Sequence, residues 1–217
     1  MSNTHIEPET IEVADFTKPF YDFCRRKRVF VCVDAENSSI SARKDFDSRI
    51  DFDALASELR KVCTLVDLHV FASGTDNNDI VGGPYSNLWH IHPNTPSFHH
   101  RNNNRLDTNS DLLILFKTGQ LLYKKRYQVL VIASGDGTLG SALAKYAKQE
   151  FGDNLDVVTL SLAGSTSPDL DATWNKSIAA NFEIGCDLFI PFDQPRVVAK
   201  PSLWKRFCSS CYNFFYA

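Results

Sequence analysis

The chain has 217 residues, 43% hydrophobic and 23% charged, with a formal net charge of −3. A chain of this length and make-up fits one globular domain with a sizeable core, since roughly 70% of its extended surface is buried on folding, and disordered, collagen-like and coiled-coil readings are excluded. The near-neutral charge excludes a protein that holds nucleic acid by bulk positive potential, so any such contact has to be local.

Met1 to Asp15 is polar and acidic, where a signal peptide needs a basic start and an apolar run. Apolar stretches such as Leu112 to Phe116 break far short of the roughly 18 residues of a membrane span. The expectation is a cytoplasmic protein with no transmembrane segment. Its cysteines (Cys24, Cys32, Cys63, Cys186, Cys208 and Cys211) are then expected as reduced thiols rather than a disulfide framework.

Residues 1–27 read as an N-terminal extension, 28–192 as the domain and 193–217 as a separate tail. Val29 to Val33 is a continuous β-branched and aromatic run that suits a strand buried on both faces. A polar loop is expected next, then a helix capped by Asp51 or Asp53 with Leu55, Leu59 and Val62 on one face. Val66 to Ala72 reads as the second strand. Residues 73–109 form a long irregular stretch, with a short extended piece at Leu88 to His92.

A helix follows from Asp111 to about Arg126, capped by Thr108 or Asn109. Tyr127 to Ala133 is a third strand, and Ser134-Gly135-Asp136-Gly137-Thr138 turns directly into a helix at Leu139 to Gln149. Leu155 to Leu162 is a fourth strand. Ser167-Pro168 predicts a capped helix with Leu170, Trp174 and Ile178 on one face, and Asp187 to Ile190 a short last strand. This alternation predicts right-handed βαβ crossovers and a single α/β domain, a mainly parallel sheet with helices on both faces.

In open α/β sheets, ligands bind at the carboxyl ends of the strands. Asp34 ends the first strand and Asp136 follows the third, while Asp111 opens the helix that feeds it. If the first and third strands are neighbours, the three carboxylates converge on one crevice. Acids so placed repel one another unless a hard cation such as Mg²⁺ or Mn²⁺ sits between them, and such a cation suits phosphodiester hydrolysis. Asn37 and Thr138 are placed to orient a water or a phosphate oxygen. Each acid also has a structural reading: Thr108-x-x-Asp111 is a capping box, and Asp136 can cap its helix.

At these residues the chain resembles the NYN subgroup of the PIN-like nuclease superfamily. The family's strand-ending aspartate with an asparagine three positions on is matched by Asp34 and Asn37. Its acid at a helix start is matched by Asp111, its Ser-Gly-Asp by Ser134-Gly135-Asp136, and its closing aspartate before an apolar strand by Asp187-Leu188-Phe189-Ile190. The resemblance covers about Val29 to Ile190. It implies a Rossmann-like fold and a Mg²⁺- or Mn²⁺-dependent endoribonuclease, with Asp34, Asp111 and Asp136 as metal ligands and catalytic groups together with Asn37. Ser134, Thr138, Arg101 and Arg105 are then the expected substrate contacts. Many members carry a second acid where this chain has Thr138, and often a lysine shortly before the acid matched by Asp111, where this chain has Arg105 and Asn109. The alternative is a PIN-like module that binds RNA or a protein without cleaving it.

Gly135-Asp136-Gly137-Thr138 also resembles the nucleotide motif of NAD and diacylglycerol kinases, but those need a β-rich second domain after it. A haloacid-dehalogenase-like phosphatase needs an aspartate at position 36, which is Glu36.

For RNA contact, residues 85–105 mix Trp89, His90, His92, Phe98, His99, His100 and Arg101 with asparagines, offering stacking faces beside cations. The same histidines are an alternative zinc site. Arg25 to Arg28 and Lys124 to Arg126 are further basic runs. The aromatic tail, with Leu203, Trp204, Phe207 and Phe214, reads as packing on the core, docking a protein partner or lying on a membrane surface.

Overall fold

The computed structural model describes residues 17–73, 88, 90–95 and 110–191. Their elements in chain order are α1 (Lys18–Cys24), β1 (Arg28–Asp34), α2 (Ala35–Phe46), β2 (Ser48–Ile50), α3 (Phe52–Val62), β3 (Leu65–Ser73), β4 (His90–Thr95), α4 (Ser110–Leu122), β5 (Val129–Ala133), α5 (Gly137–Phe151), β6 (Asp156–Ser161), β7 (Ala180–Glu183) and β8 (Phe189–Pro191). Six strands form one sheet in the order β4-β3-β1-β5-β6-β7, and every pairing in it is parallel. This is the expected Rossmann-like α/β architecture.

Burial on both faces explains the unbroken apolar strands. Val29, Val31 and Val33 point into the cluster under α1, α2 and α3, while Phe30 and Cys32 point into the opposite cluster under α4 and α5. A period of two along β1 therefore feeds two cores at once. At about 1.5–3 kcal/mol per buried large side chain, this strand anchors both layers.

The order of the strands sets the site. The chain winds outward from β1 through β3 to β4, then returns to β5 on the other side of β1 and winds outward through β6 to β7. The reversal falls between β1 and β5, which pair from Val29–Val129 to Val33–Ala133. Asp34 and Ser134 thus leave the sheet side by side at the switch point.

Several local expectations change. The polar loop after β1 is the helix α2, because Asp34 caps it by accepting from the Asn37 N–H and Arg43 and Lys44 complement its last turn. Its apolar stripe is thin, with Ala35, Ser38 and Ala42 its buried residues, so no periodic signal marks it. The expected helix after Ser167 is instead a 3₁₀ turn, Pro168–Leu170, followed by irregular turns. Asp171 accepts from the Thr173 N–H and Asn175 from the Ser177 N–H, so side chains take the donors that a helix would have used. Leu170 and Ile178 are buried as expected, whereas Trp174 is 81% exposed.

β7 has no apolar run to mark it in the sequence, and the last strand, β8, lies outside the main sheet, antiparallel to β2. The extended piece near Leu88 is the edge strand β4. Within the segment expected to precede the domain, α1 buries Phe20 and Cys24 completely, and Phe20 and Phe23 pack on Phe182 of β7 with ring centroids 5.6 and 5.5 Å apart. Asp51 caps α3 by accepting from the Ala54 N–H at 2.9 Å. The thiols of Cys24, Cys32 and Cys63 are free, and burial pushes Cys24 and Cys32 up to about 12. Thiols so protonated are inert packing groups. The tail at 193–217 lies outside the described residues, and no described helix is long and apolar enough to cross a membrane.

Candidate functional site

The turns after β1 and β5 are tied to each other by polar side chains. Asp34 is 7% exposed, and its two carboxylate oxygens accept from the Asn37 N–H at 3.3 Å and from Ser134 Oγ at 3.0 Å. Ser134 Oγ in turn accepts from the Asp136 N–H at 3.1 Å. Asn37 Oδ1 accepts from the Gly135 N–H at 2.9 Å, and Ser38 Oγ donates to the Ala133 carbonyl at 3.2 Å. These bonds cross between two neighbouring strand ends, so the carboxylate is held from both sides.

Ser134 is 1% exposed and spent on this network, which makes it a group that positions Asp34 rather than a surface contact for substrate. Asp136 caps α5, its Oδ1 accepting from the Thr138 N–H at 2.7 Å and the Leu139 N–H at 3.1 Å. The capping reading of this residue is therefore correct, and its second oxygen makes none of these bonds. Thr138 stands exposed in the first turn of α5.

The glycines of this turn answer to a third loop. A Cβ on Gly135 would lie 2.3 Å from the Ser165 carbonyl oxygen, and one on Gly137 would lie 2.3 Å from Ser167 Oγ. The Ser167 N–H also donates to the Gly135 carbonyl at 3.1 Å. The loop after β6 is thus pressed onto the Ser-Gly-Asp-Gly turn, a contact with no signal in the sequence beyond the small residues themselves.

Electrostatics link the acids. Burial raises the Asp34 carboxyl to about 6 against the bonds from Asn37 and Ser134, and the charges of Asp111 and Glu36 add to the rise. Burial also raises Asp111, half-buried in the first turn of α4, and Asp136 and Glu36 push it further. Asp34, Glu36, Asp111 and Asp136 therefore share one negative field at the switch point. Glu36 figured in the sequence only as the wrong residue for a phosphatase motif; its partnership with Asp111 depends on α2, which the sequence did not reveal.

Whether these residues fit a divalent cation turns on donor chemistry and spacing. The donors are hard oxygens that repel one another, which suits Mg²⁺ or Mn²⁺. As the side chains stand, no group of three or more His, Cys, Asp or Glu among the described residues is gathered closely enough to hold a metal ion. Asp187 is elsewhere: it accepts from Thr17 Oγ1 at 2.8 Å beside α1.

The basic runs do not reach the site. Arg25 to Lys27 precede β1, Arg28 opens it, and Lys124–Arg126 precede β5, at the amino ends of strands whose carboxyl ends carry the acids. Arg25 pairs with Asp22 at 2.6 Å, Lys27 with Asp156 at 3.2 Å and Lys125 with Asp67 at 2.6 Å. Arg101, Arg105, Trp89, Phe98, His99 and His100 lie outside the described residues.

His90 and His92 belong to a different structure. His69 Nδ1 and His92 Nε2 are 2.8 Å apart, with ring centroids at 5.1 Å and planes 18° apart. Nearly parallel planes, a short N···N distance and well-separated centroids describe two imidazoles joined edge to edge by one N–H···N bond. Burial holds His69 down to about 3 and His92 down to about 4, with the charge of His90 next in both cases. The pair is neutral at neutral pH, so His92 is a packing group and not a cation for phosphate.

No family model and no curated protein matches the chain. Among solved structures it is similar to a protein of unknown function from Vibrio parahaemolyticus, at 16% identity and a TM-score of 0.57, over 76% of this chain and 98% of that one. At that identity the likeness shows a shared fold.

Proposed function

We propose that the chain is a metal-dependent ribonuclease that hydrolyses phosphodiester bonds in single-stranded or structured RNA, with Asp34, Asp111 and Asp136 as the groups that hold the cation. The observation that carries this reading is the gathering of acids at the reversal between β1 and β5, where Asp34 and Asp111 are both raised by burial and further by neighbouring charges, those of Asp111 and Glu36 on the one and of Asp136 and Glu36 on the other. A carboxylate kept where burial opposes its charge calls for a counter-charge, and such groups concentrate at functional sites.

Mg²⁺ or Mn²⁺ bound there would supply charge neutralisation for a phosphate and a more acidic water. The chain's own residues do the rest. Ser134 and the Asn37 N–H hold Asp34 in one orientation, Asn37 Oδ1 fixes the Gly135 turn, and Thr138 offers an exposed hydroxyl to a phosphate oxygen at the head of α5. Arg101 and Arg105 remain the proposed phosphate contacts by sequence. A cytoplasmic setting fits the reduced thiols.

The spread of the acids favours a second reading, a PIN-like module that binds RNA or a protein without cleaving, because no three of them are gathered as ligands. Incubating the purified protein and MnCl₂ with end-labelled single-stranded RNA, beside Asp34→Asn and Asp136→Asn, separates the two. Nuclease action predicts 5′-phosphate products from the wild type alone. Equal product from all three proteins refutes it.

A further inference from the structure

The edge strand β4 is held by different chemistry on its two faces. Among the described strands it has one neighbour, β3, with which it pairs from His69–His90 to Phe71–His92 before the register slips ahead of Ser73–Thr95. On one face Ile91 packs against the apolar cluster under α1, α2 and α3. On the other, alternation brings His90 and His92 to the side of His69. Rings meet there: His90 stacks on His69 with centroids 4.7 Å apart, His92 on Phe71 at 4.4 Å, and His69 on Phe30 of β1 at 4.9 Å. The 2.8 Å bond between His69 and His92 ties the two strands across this face.

A bond between two neutral imidazoles is undone by protons. One ring donates its N–H and the other accepts with a lone pair. A first added proton leaves an N–H⁺···N bond but brings a charge among the buried rings; a second takes the lone pair and sets two like charges edge to edge. The surroundings do not offset those charges. His90 on β4 and Lys125 before β5 oppose a charge on His69, and His90 and Lys117 of α4 oppose one on His92. Asp67 on β3 favours a charged His69, but its carboxylate already accepts from Lys125 at 2.6 Å and from Tyr127. Cys32, the register partner of His69 on β1, stays a thiol. Burial first and these charges second hold both rings well below the ordinary histidine range, so docking of β4 selects the uncharged pair.

We propose that this pair is a proton-operated latch: uncharged, His69 and His92 fasten β4 to β3, and the uptake of a proton by each ring releases β4 while β1, β5 and β6 stay paired. An edge strand with one partner can leave without breaking another pairing, and the side-chain bonds at the β1–β5 reversal involve neither β3 nor β4. Release returns both rings to water and to the ordinary value of 6.5. Between pH 7.5 and pH 5.5 each ring then multiplies the opening constant of β4 by about ten, and the two together by about 100.

Amide hydrogen exchange on the full chain at the two pH values, corrected for the intrinsic rate at each, reads this opening strand by strand. The amides that join β3 to β4 are expected to open about 100-fold more readily at pH 5.5, and there to open more readily than those of Val129 to Ala133 in β5. His92→Phe keeps a ring on Phe71 and His92→Gln keeps a bond to His69; each removes one titrating ring and is expected to cut the change to about tenfold. Circular dichroism checks that the variants fold, and the wild type is decisive without them. Opening constants that do not change with pH overturn the proposal. So does a single opening constant shared by β4 and β5, which makes the response global unfolding, and so does a pH response that the folded variants keep in full.

Discussion

Asp34 is held where its charge costs stability, and the Asp34→Asn variant measures that cost. Its carboxyl moves from 3.8 in the unfolded chain to about 6 in the folded one. Because the folded value is the higher, ionisation opposes folding: the penalty is complete above about 6 and fades as pH falls toward 3.8. At pH 8 it amounts to about 3 kcal/mol and at pH 4.5 to about 1 kcal/mol. Asparagine keeps an oxygen for the Asn37 N–H, but its amide has to donate to Ser134 Oγ, the reverse of the wild-type bond, so the Ser134 hydroxyl gives up its acceptor and both bonds lose charge-assisted strength. The variant is therefore expected to be about 1–2 kcal/mol more stable than the wild type at pH 8 in EDTA, an advantage that shrinks by about 2 kcal/mol at pH 4.5. Urea unfolding followed by tryptophan fluorescence at the two pH values supplies the numbers. A variant less stable than the wild type at pH 8, with a difference independent of pH, refutes the argument that Asp34 is an ionised group under strain.

The remaining predictions concern the surroundings of the site. His69 is 6% exposed and its folded value, about 3, lies below the unfolded 6.5, so the stability it contributes is present above pH 6.5 and drains away as pH falls toward 3. Between pH 8 and pH 5.5 the wild type should lose about 1–2 kcal/mol more than His69→Phe in urea unfolding, and parallel pH profiles would contradict this. Gly135→Ala puts a methyl group against a backbone oxygen; we expect a loss of about 1–3 kcal/mol and altered amide chemical shifts at Ser165 and Ser167, and an unchanged melting temperature would speak against the close approach. Asn181 bonds the Ala172 N–H, Thr159 Oγ1 and the Leu170 carbonyl, so Asn181→Ala should cost about 2–3 kcal/mol in thermal or urea unfolding, and a loss under 0.5 kcal/mol would show that these bonds carry little.

What could be read in the sequence followed from burial. β1, β3, β5 and β6 stand out because a parallel strand covered on both faces has no polar alternation to blur it, and α3 because Asp51 announces its start. α2 escaped because it lies against the sheet on small residues, and Ser167 misled because Asp171 and Asn175 cap turns as readily as they begin helices. Asp34 and Asp136 could be placed at strand ends by their position after apolar runs, and Asp111 at the head of a helix. That Ser134 and Asn37 would be spent on tying two turns together, and that Glu36 would join the field around Asp111, depended on which strands are neighbours and on α2. His92 shows the limit most clearly: a histidine on an edge strand gives no sequence sign that its ring is paired with one on β3.

The claim that most needs testing is that the acids at the β1–β5 reversal share a cation. Crystals soaked in MnCl₂ and measured at the manganese absorption edge address it directly. One anomalous peak is expected, held by Asp34, Asp111 and Asp136 directly or through water, and absent from Asp34→Asn. Crystals with manganese bound elsewhere and none between these carboxylates would contradict it.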